Sequence, residues 1–187
     1  MFFDTEIKNA IAQLSNGGVI LYPTDTVWGL GCDATNPDAV QKIYALKNRE
    51  ESKSLVILVS SLDMLKSYIR EIPEKAIELI KNGQKPTTII YQNPSGLAGN
   101  TVAIDNSIAI RIPKHIFCTK LIEEFGKPIV STSANLSSYG TPTSFSEIDA
   151  SILEGADYIV NLEREKITDK SSTIVRIHGD DVEVIRA

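Results

Sequence analysis

The chain has 187 residues, 42 % of them hydrophobic and 23 % charged, with 19 Lys+Arg against 24 Asp+Glu for a net charge of −5. That balance is ordinary for a globular protein with a sizeable core, and it excludes a generally basic nucleic-acid coat while allowing a local cationic cleft. No apolar run approaches the roughly 20 residues of a membrane span, and the opening MFFDTEIKNAIAQL lacks the layout of a signal peptide.

Helical and strand signals alternate along the chain. Ile7, Ala10, Ile11 and Leu14 form a helical stripe stopped by Gly17-Gly18. VILY then reads as a buried strand closed by Pro23, and YPTDTVWGLGCD as the loop that leaves it. Asn36-Pro37 is a cap followed by a first-turn proline, opening a helix through Val40, Ile43 and Tyr44. LVILV is a second buried strand, followed by a helical region near Leu62 to Arg70 and another helix opened by Pro73. TTIIY and SIAIRI are further strands, then comes a helix around Cys118, and PIV runs into STSAN. Ser144 with Glu147 reads as a capping box before a short helix, and DYIV, STIVRI and VEVIR complete the strands. Such alternation predicts one α/β domain over residues 1–187, with a twisted mixed sheet and ligands at strand ends.

The two cysteines, Cys32 and Cys118, form no CxxC pair and read as reduced thiols of a cytoplasmic protein. His115 and Cys118 have a spacing that metal ligands also use. Cys118 shares an i, i+3, i+4, i+7 stripe with Leu121, Ile122 and Phe125, however, so it reads as a buried apolar side chain. With two histidines in the chain, a structural zinc site is not expected.

The candidate chemistry lies in loops at strand ends. Lys47 falls on the apolar face of the Asn36 helix, which aims it at an interior edge or a cleft; the plainer reading is a lysine stem lying along the core. Arg49 and Lys53 follow before the strand at Leu55, and three cations at one strand entrance suit a polyanion. IVSTSAN offers three hydroxyls and a carboxamide, compact groups for phosphate oxygens, with no histidine beside them for a Ser-His-Asp arrangement. Arg111 ends an apolar strand and needs an anionic partner, either a carboxylate of the protein or a ligand. Neither GxxxxGK[ST] nor GxGxxG occurs.

GGVILYPTDTVWGLG, the K-x-R of LKNRE and GKPIVSTSAN, in that order, resemble the YrdC-like family from about Gly17 to Arg186. In this family K-x-R together with S-x-S-x-N is specific, whereas each piece alone is not. The resemblance implies a short-form threonylcarbamoyl-AMP synthase, a nucleotidyltransferase making threonylcarbamoyl-AMP and pyrophosphate from L-threonine, bicarbonate and ATP. It implies a single YrdC-like domain with a concave cationic cleft, Mg2+ carried on the ATP phosphates, and hand-off to a transferase that modifies tRNA beside the anticodon. By the same resemblance Lys47 and Arg49 are catalytic. ATP would meet Lys47, Arg49, Lys53, Ser107, Ser133, Asn135, Thr141 and Arg186, and threonine would meet Thr26, Arg111, Ser131 and Ser172. Glu50 and Ser54 stand where the family usually has prolines, which loosens the loop holding Arg49 and Lys53. The alternatives are a non-catalytic relative that binds tRNA or double-stranded RNA, and the carbamoyl-adenylate domain of hydrogenase maturation.

Overall fold

A computed structural model describes residues 2–50, 55–168 and 170–187. Its helices begin and end where local chemistry dictates. Helix α1 (Phe2–Ser15) buries Ile7, Ala10 and Leu14, and the chain leaves it through Gly17 at φ 70°. Helix α2 (Pro37–Leu46) is capped by the Asn36 side chain, which accepts from the amides of Asp38 and Ala39 at 3.0 and 3.2 Å. Helices α3 (Leu62–Tyr68) and α4 (Glu74–Asn82) follow, then α5 (Ile116–Phe125), ended by Gly126 at φ 75°. The expected capping box at Ser144 is not one. Glu147 accepts from the Thr143 amide at 2.7 Å within a short 3-10 turn, and α6 (Ala150–Gly155) is capped instead by Asp149.

Among the described residues nine strands make one mixed sheet in the order β7-β1-β2-β6-β3-β5-β4-β8-β9. They are β1 (Ile20–Tyr22), β2 (Gly29–Gly31), β3 (Val56–Leu58), β4 (Thr87–Gln92), β5 (Ser107–Arg111), β6 (Ile129–Ser133), β7 (Tyr158–Ile159), β8 (Thr173–His178) and β9 (Asp181–Arg186). Strand β2 corrects the sequence reading, which left Gly29–Gly31 in a loop. Its glycines suit a crowded strand rather than a turn, since a Cβ on Gly31 would come within 2.6 Å of the Val130 carbonyl and 2.7 Å of the Tyr22 ring. The strand pairs antiparallel with both β1 and β6.

Alternation along the strands then decides which face is covered. Leu21, Leu30, Ile57, Ile89, Ile108, Ile110 and Val130 join Val40 and Ile43 of α2, Leu65 of α3, Ala76 of α4 and Ile152 of α6 in one core. At one corner of the opposite face Ile20, Tyr22, Leu58 and Ile129 pack against Ile7 and Leu14 of α1 and Phe117, Leu121 and Ile122 of α5. Each such fully buried aliphatic or aromatic side chain contributes roughly 1.5–3 kcal/mol. Cys118 belongs to this second core, with its thiol donating to the Pro23 carbonyl at 3.4 Å. Beyond that corner the face carries side chains of another kind. The register aligns Ser131, Val56, Ala109, Ile90 and Arg176 in one row, and Arg111, Thr88, Ile174 and Arg186 in a neighbouring row. Five of these nine side chains are hydroxyls or guanidiniums, and Ser131, Thr88 and Arg111 are themselves buried.

Candidate functional site: a hydroxyl- and arginine-lined hollow on the open sheet face

A cavity of about 270 Å³ occupies this open face, bounded by the Thr26–Gly29 segment, Arg49, the ends of β3, β5 and β6, Thr141 and the β8–β9 hairpin. Eight of the residues singled out in the sequence line it: Thr26, Arg49, Arg111, Ser131, Ser133, Thr141, Ser172 and Arg186. They come from seven separate stretches of chain and converge because β2, β6, β3 and β5 lie side by side while β8 follows one strand further on. Among the described residues the lining contains three guanidiniums and several hydroxyls but no carboxylate or imidazole. Such a hollow favours an anionic ligand and orients it through hydrogen bonds.

At one end stands Arg111, only 4 % exposed. One of its terminal nitrogens donates to Asp25 Oδ1, and the other lies 3.4 Å from the Thr26 hydroxyl. Its Nε is buried and has no hydrogen-bond partner among the described residues. Thr26 is oriented in turn by Thr24. The Thr24 hydroxyl proton goes to the Val27 carbonyl at 2.8 Å, so at the 2.9 Å contact between the two threonines Thr26 donates and Thr24 accepts. The lone pairs of the Thr26 hydroxyl are therefore left for other donors. Ser172 shares a 2.8 Å hydrogen bond with Thr88, and Arg186 Nη2 donates to the Ser172 carbonyl at 2.8 Å. Burial, helped by the nearby charge of Arg111, pulls the Arg186 guanidinium below its usual pKa.

At the other end the structure departs from the expectation for Lys47. Its ammonium does not line the cavity. It is 1 % exposed and donates to the backbone carbonyls of Ser133 and Asn135, behind the β6 exit, while the Lys47 carbonyl accepts from the Ser137 amide at 3.0 Å. Burial, with a smaller contribution from the Arg49 charge, lowers its pKa to about 8. The Asn135 side chain also turns away from the cavity, with Nδ2 donating to the carbonyls of Leu136 and Tyr139 at 2.9 and 2.8 Å. Lys47 and Asn135 thus meet at a buried clasp that shapes the 133–139 loop. Arg49, just after Lys47 in the sequence, does face the cavity, and burial lowers its pKa as well. Lys53 lies outside the described residues.

Ser107 sits on the same face of β5 as Arg111 but at the strand's other end, roughly 13 Å away. It lines a second hollow with Ile90, Ala109, Asp105 and Arg176, and its hydroxyl donates to Asp105 at 2.6 Å. Sequence reasoning missed two features of the site. Trp28 lines the cavity wall, packed on Phe145 with ring centroids 4.9 Å apart, and Asp25 is the anionic partner that a buried Arg111 demanded. The requirement for a partner was legible in the sequence, but which carboxylate met it was not.

A family model designated Sua5/YciO/YrdC and described as "Telomere recombination" matches residues 12–187. A threonylcarbamoyl-AMP synthase of Pseudoalteromonas translucida is 36 % identical over 83 % of this chain and 84 % of its own length. One of Bacillus subtilis is 38 % identical over 75 % of this chain, but only 41 % of its own length. The structure of Pyrococcus abyssi Sua5 complexed with L-threonine superposes with a TM-score of 0.87 at 28 % identity, covering 96 % of this chain and 53 % of that one. The chain thus spans 84 % of the length of the first relative and about half that of the other two. The match extends over the PTDT loop, the K-x-R turn and the STSAN strand end, and the chain belongs to the Sua5/YciO/YrdC family.

Proposed function

We propose that this chain is a threonylcarbamoyl-AMP synthase, joining L-threonine, bicarbonate and ATP into threonylcarbamoyl-AMP and pyrophosphate for the threonylcarbamoyladenosine modification of tRNA. The observation that carries the reading is the convergence of Thr26, Arg111, Ser131, Ser133, Arg49 and Arg186 on one cavity. The threonine carboxylate would meet Arg111, whose Nε lacks a partner, with Thr26, Ser131 and Ser172 beside it. Condensation of the threonine amine with bicarbonate gives a carbamate and water. A carbamate oxygen then attacks the α-phosphorus of ATP, the bond to the bridging oxygen breaks, and pyrophosphate leaves. Arg49 and Arg186 would offset the converging negative charges of carbamate and phosphates, so catalysis would rest on positioning and electrostatics.

Lys47 and Lys53 would add their charge on the ATP side, Lys47 from the clasp that also places Ser133 and Asn135. Thr141 would border the nucleotide, and Ser107 would be reached by its far end. Mg2+ would ride on the ATP phosphates. The product would pass to a transferase acting on tRNA, in the cytoplasm. No helix of the described residues is long and apolar enough to cross a membrane.

The test is pyrophosphate release. It should require ATP, bicarbonate and L-threonine together; release that ignores threonine, or none at all, refutes the assignment. Tight, salt-dependent binding of double-stranded RNA in the absence of such release would favour the non-catalytic alternative.

A further inference from the structure

The loop between β1 and β2 contains a carboxylate, Asp25, paired with Arg111 at one end of the cavity. The Asp25 side chain is 7 % exposed and both of its oxygens are committed: Oδ1 accepts from Arg111, and Oδ2 accepts from the Lys114 amide at 3.0 Å. It therefore ties three pieces of chain together, namely the PTDT loop, the end of β5 and the residue just before the cap of α5 at His115. We infer that Asp25 is a positioning residue for the amino-acid carboxylate: it holds the Arg111 guanidinium in one rotamer so that Nε and an edge of Nη2 are presented to the ligand. The inference rests on the proposed function and adds to it.

A guanidinium on a long flexible stem pairs with a carboxylate in two-point geometry only when its plane is fixed. Arg111 reaches the cavity from the last position of β5, where the strand supplies the Cα but not the side-chain orientation. Asp25 takes one terminal nitrogen and so sets the plane. Thr26, the next residue, contributes an oxygen whose lone pairs face other donors because its own proton goes to Thr24. The pair selects a zwitterion: a fixed guanidinium edge for a carboxylate, and an acceptor oxygen next to it for an ammonium. Asp25 also offsets the Arg111 charge, so that end of the hollow recognises a carboxylate by geometry more than by net charge.

The experiment compares Asp25→Asn with the unaltered protein by calorimetric titration of L-threonine, of L-threoninol, which lacks the carboxylate, and of a non-hydrolysable ATP analogue. Asn keeps the size of Asp25 but cannot accept from both donors. The expected result is that threonine affinity falls tenfold or more, the preference of threonine over threoninol collapses by a similar factor, and ATP-analogue affinity moves less than threefold. In an Arg111→Ala background, Asp25→Asn should change threonine affinity little, because the two act as a unit. Asp25→Glu, which keeps the charge, should restore part of the threonine preference. An unchanged threonine-to-threoninol ratio in a folded Asp25→Asn protein overturns the inference, as does an equal loss for threonine, threoninol and nucleotide. If the unaltered protein itself binds no threonine, it is the proposed function that fails.

Discussion

Two buried cations, one at the cavity and one behind it, are held in opposite ways. Arg111 is paired with a carboxylate, Asp25, which cancels its charge and fixes its plane. Lys47 is held by two neutral carbonyls, so it keeps a whole positive charge in a nearly dry place, and its pKa falls to about 8. The first arrangement makes a directional recognition edge. The second makes a source of positive potential whose strength depends on pH and which braces a loop at the same time. A carboxylate neighbour trades charge for geometry, and a carbonyl neighbour does the reverse.

The sharpest way to break this contrast is to remove Lys47. Lys47→Ala should lower the rate of pyrophosphate release by at least roughly a hundredfold. An exposed lysine at a helix end could be removed with little effect on stability. The structure predicts otherwise, because two buried carbonyls lose their donor and a cavity opens; the melting temperature should fall by on the order of 5–10 °C. Lys47→Met refills the space without the charge, so it should recover part of the thermal stability and none of the rate. If Lys47→Met is as active as the unaltered protein, the ammonium is only a brace.

At the other end, Arg111→Lys keeps a positive charge and loses the planar fork. Threonine affinity should drop about ten- to fiftyfold by calorimetry, with nucleotide affinity changing far less. An equal loss for both ligands would mean that the two ends are not separate in function.

A pH series sharpens the contrast further. The folded-state pKa of Lys47, about 8, lies below its ordinary value of 10.5, so the folded protein gives up that proton first. Between these limits the unfolded chain binds more protons, and the Lys47 contribution to stability rises with pH. The cost of burying the charge is present in full below about pH 8 and is relieved as pH climbs through the window to 10.5. Urea unfolding of the unaltered protein and of Lys47→Met should therefore diverge between these pH values in that sense. Turnover, if it needs the ammonium, should decline above about pH 8. The smallest effect is expected from Ser107→Ala, a fewfold loss of nucleotide-analogue affinity, since this hydroxyl already spends its proton on Asp105.

Much of the architecture was legible because periodicity and punctuation agree. The Asn36-Pro37 cap, the Gly17 stop and the β-branched runs of β3, β5 and β8 each carry a local signal that the fold obeys. Strand β2 was hidden because Gly-Leu-Gly has little strand propensity, and its place depends on neighbours that leave no room for a Cβ. The site was legible as residue types but not as orientations. The apolar face of α2 correctly aimed Lys47 inward, yet nothing local could say that its ammonium would be claimed by the carbonyls of Ser133 and Asn135, more than eighty positions later. The same holds for Asp25, whose partner Arg111 is brought to it by the pairing of distant strands.

Trp28 is the chain's one tryptophan, and it stands in the wall of the cavity against Phe145, which Arg164 caps from 4.6 Å. Indole emission from this protein is therefore a local signal, arising a few ångströms from where substrates would settle, with no background from elsewhere in the chain. Mixing experiments could follow the order in which amino acid and nucleotide arrive without any label being attached.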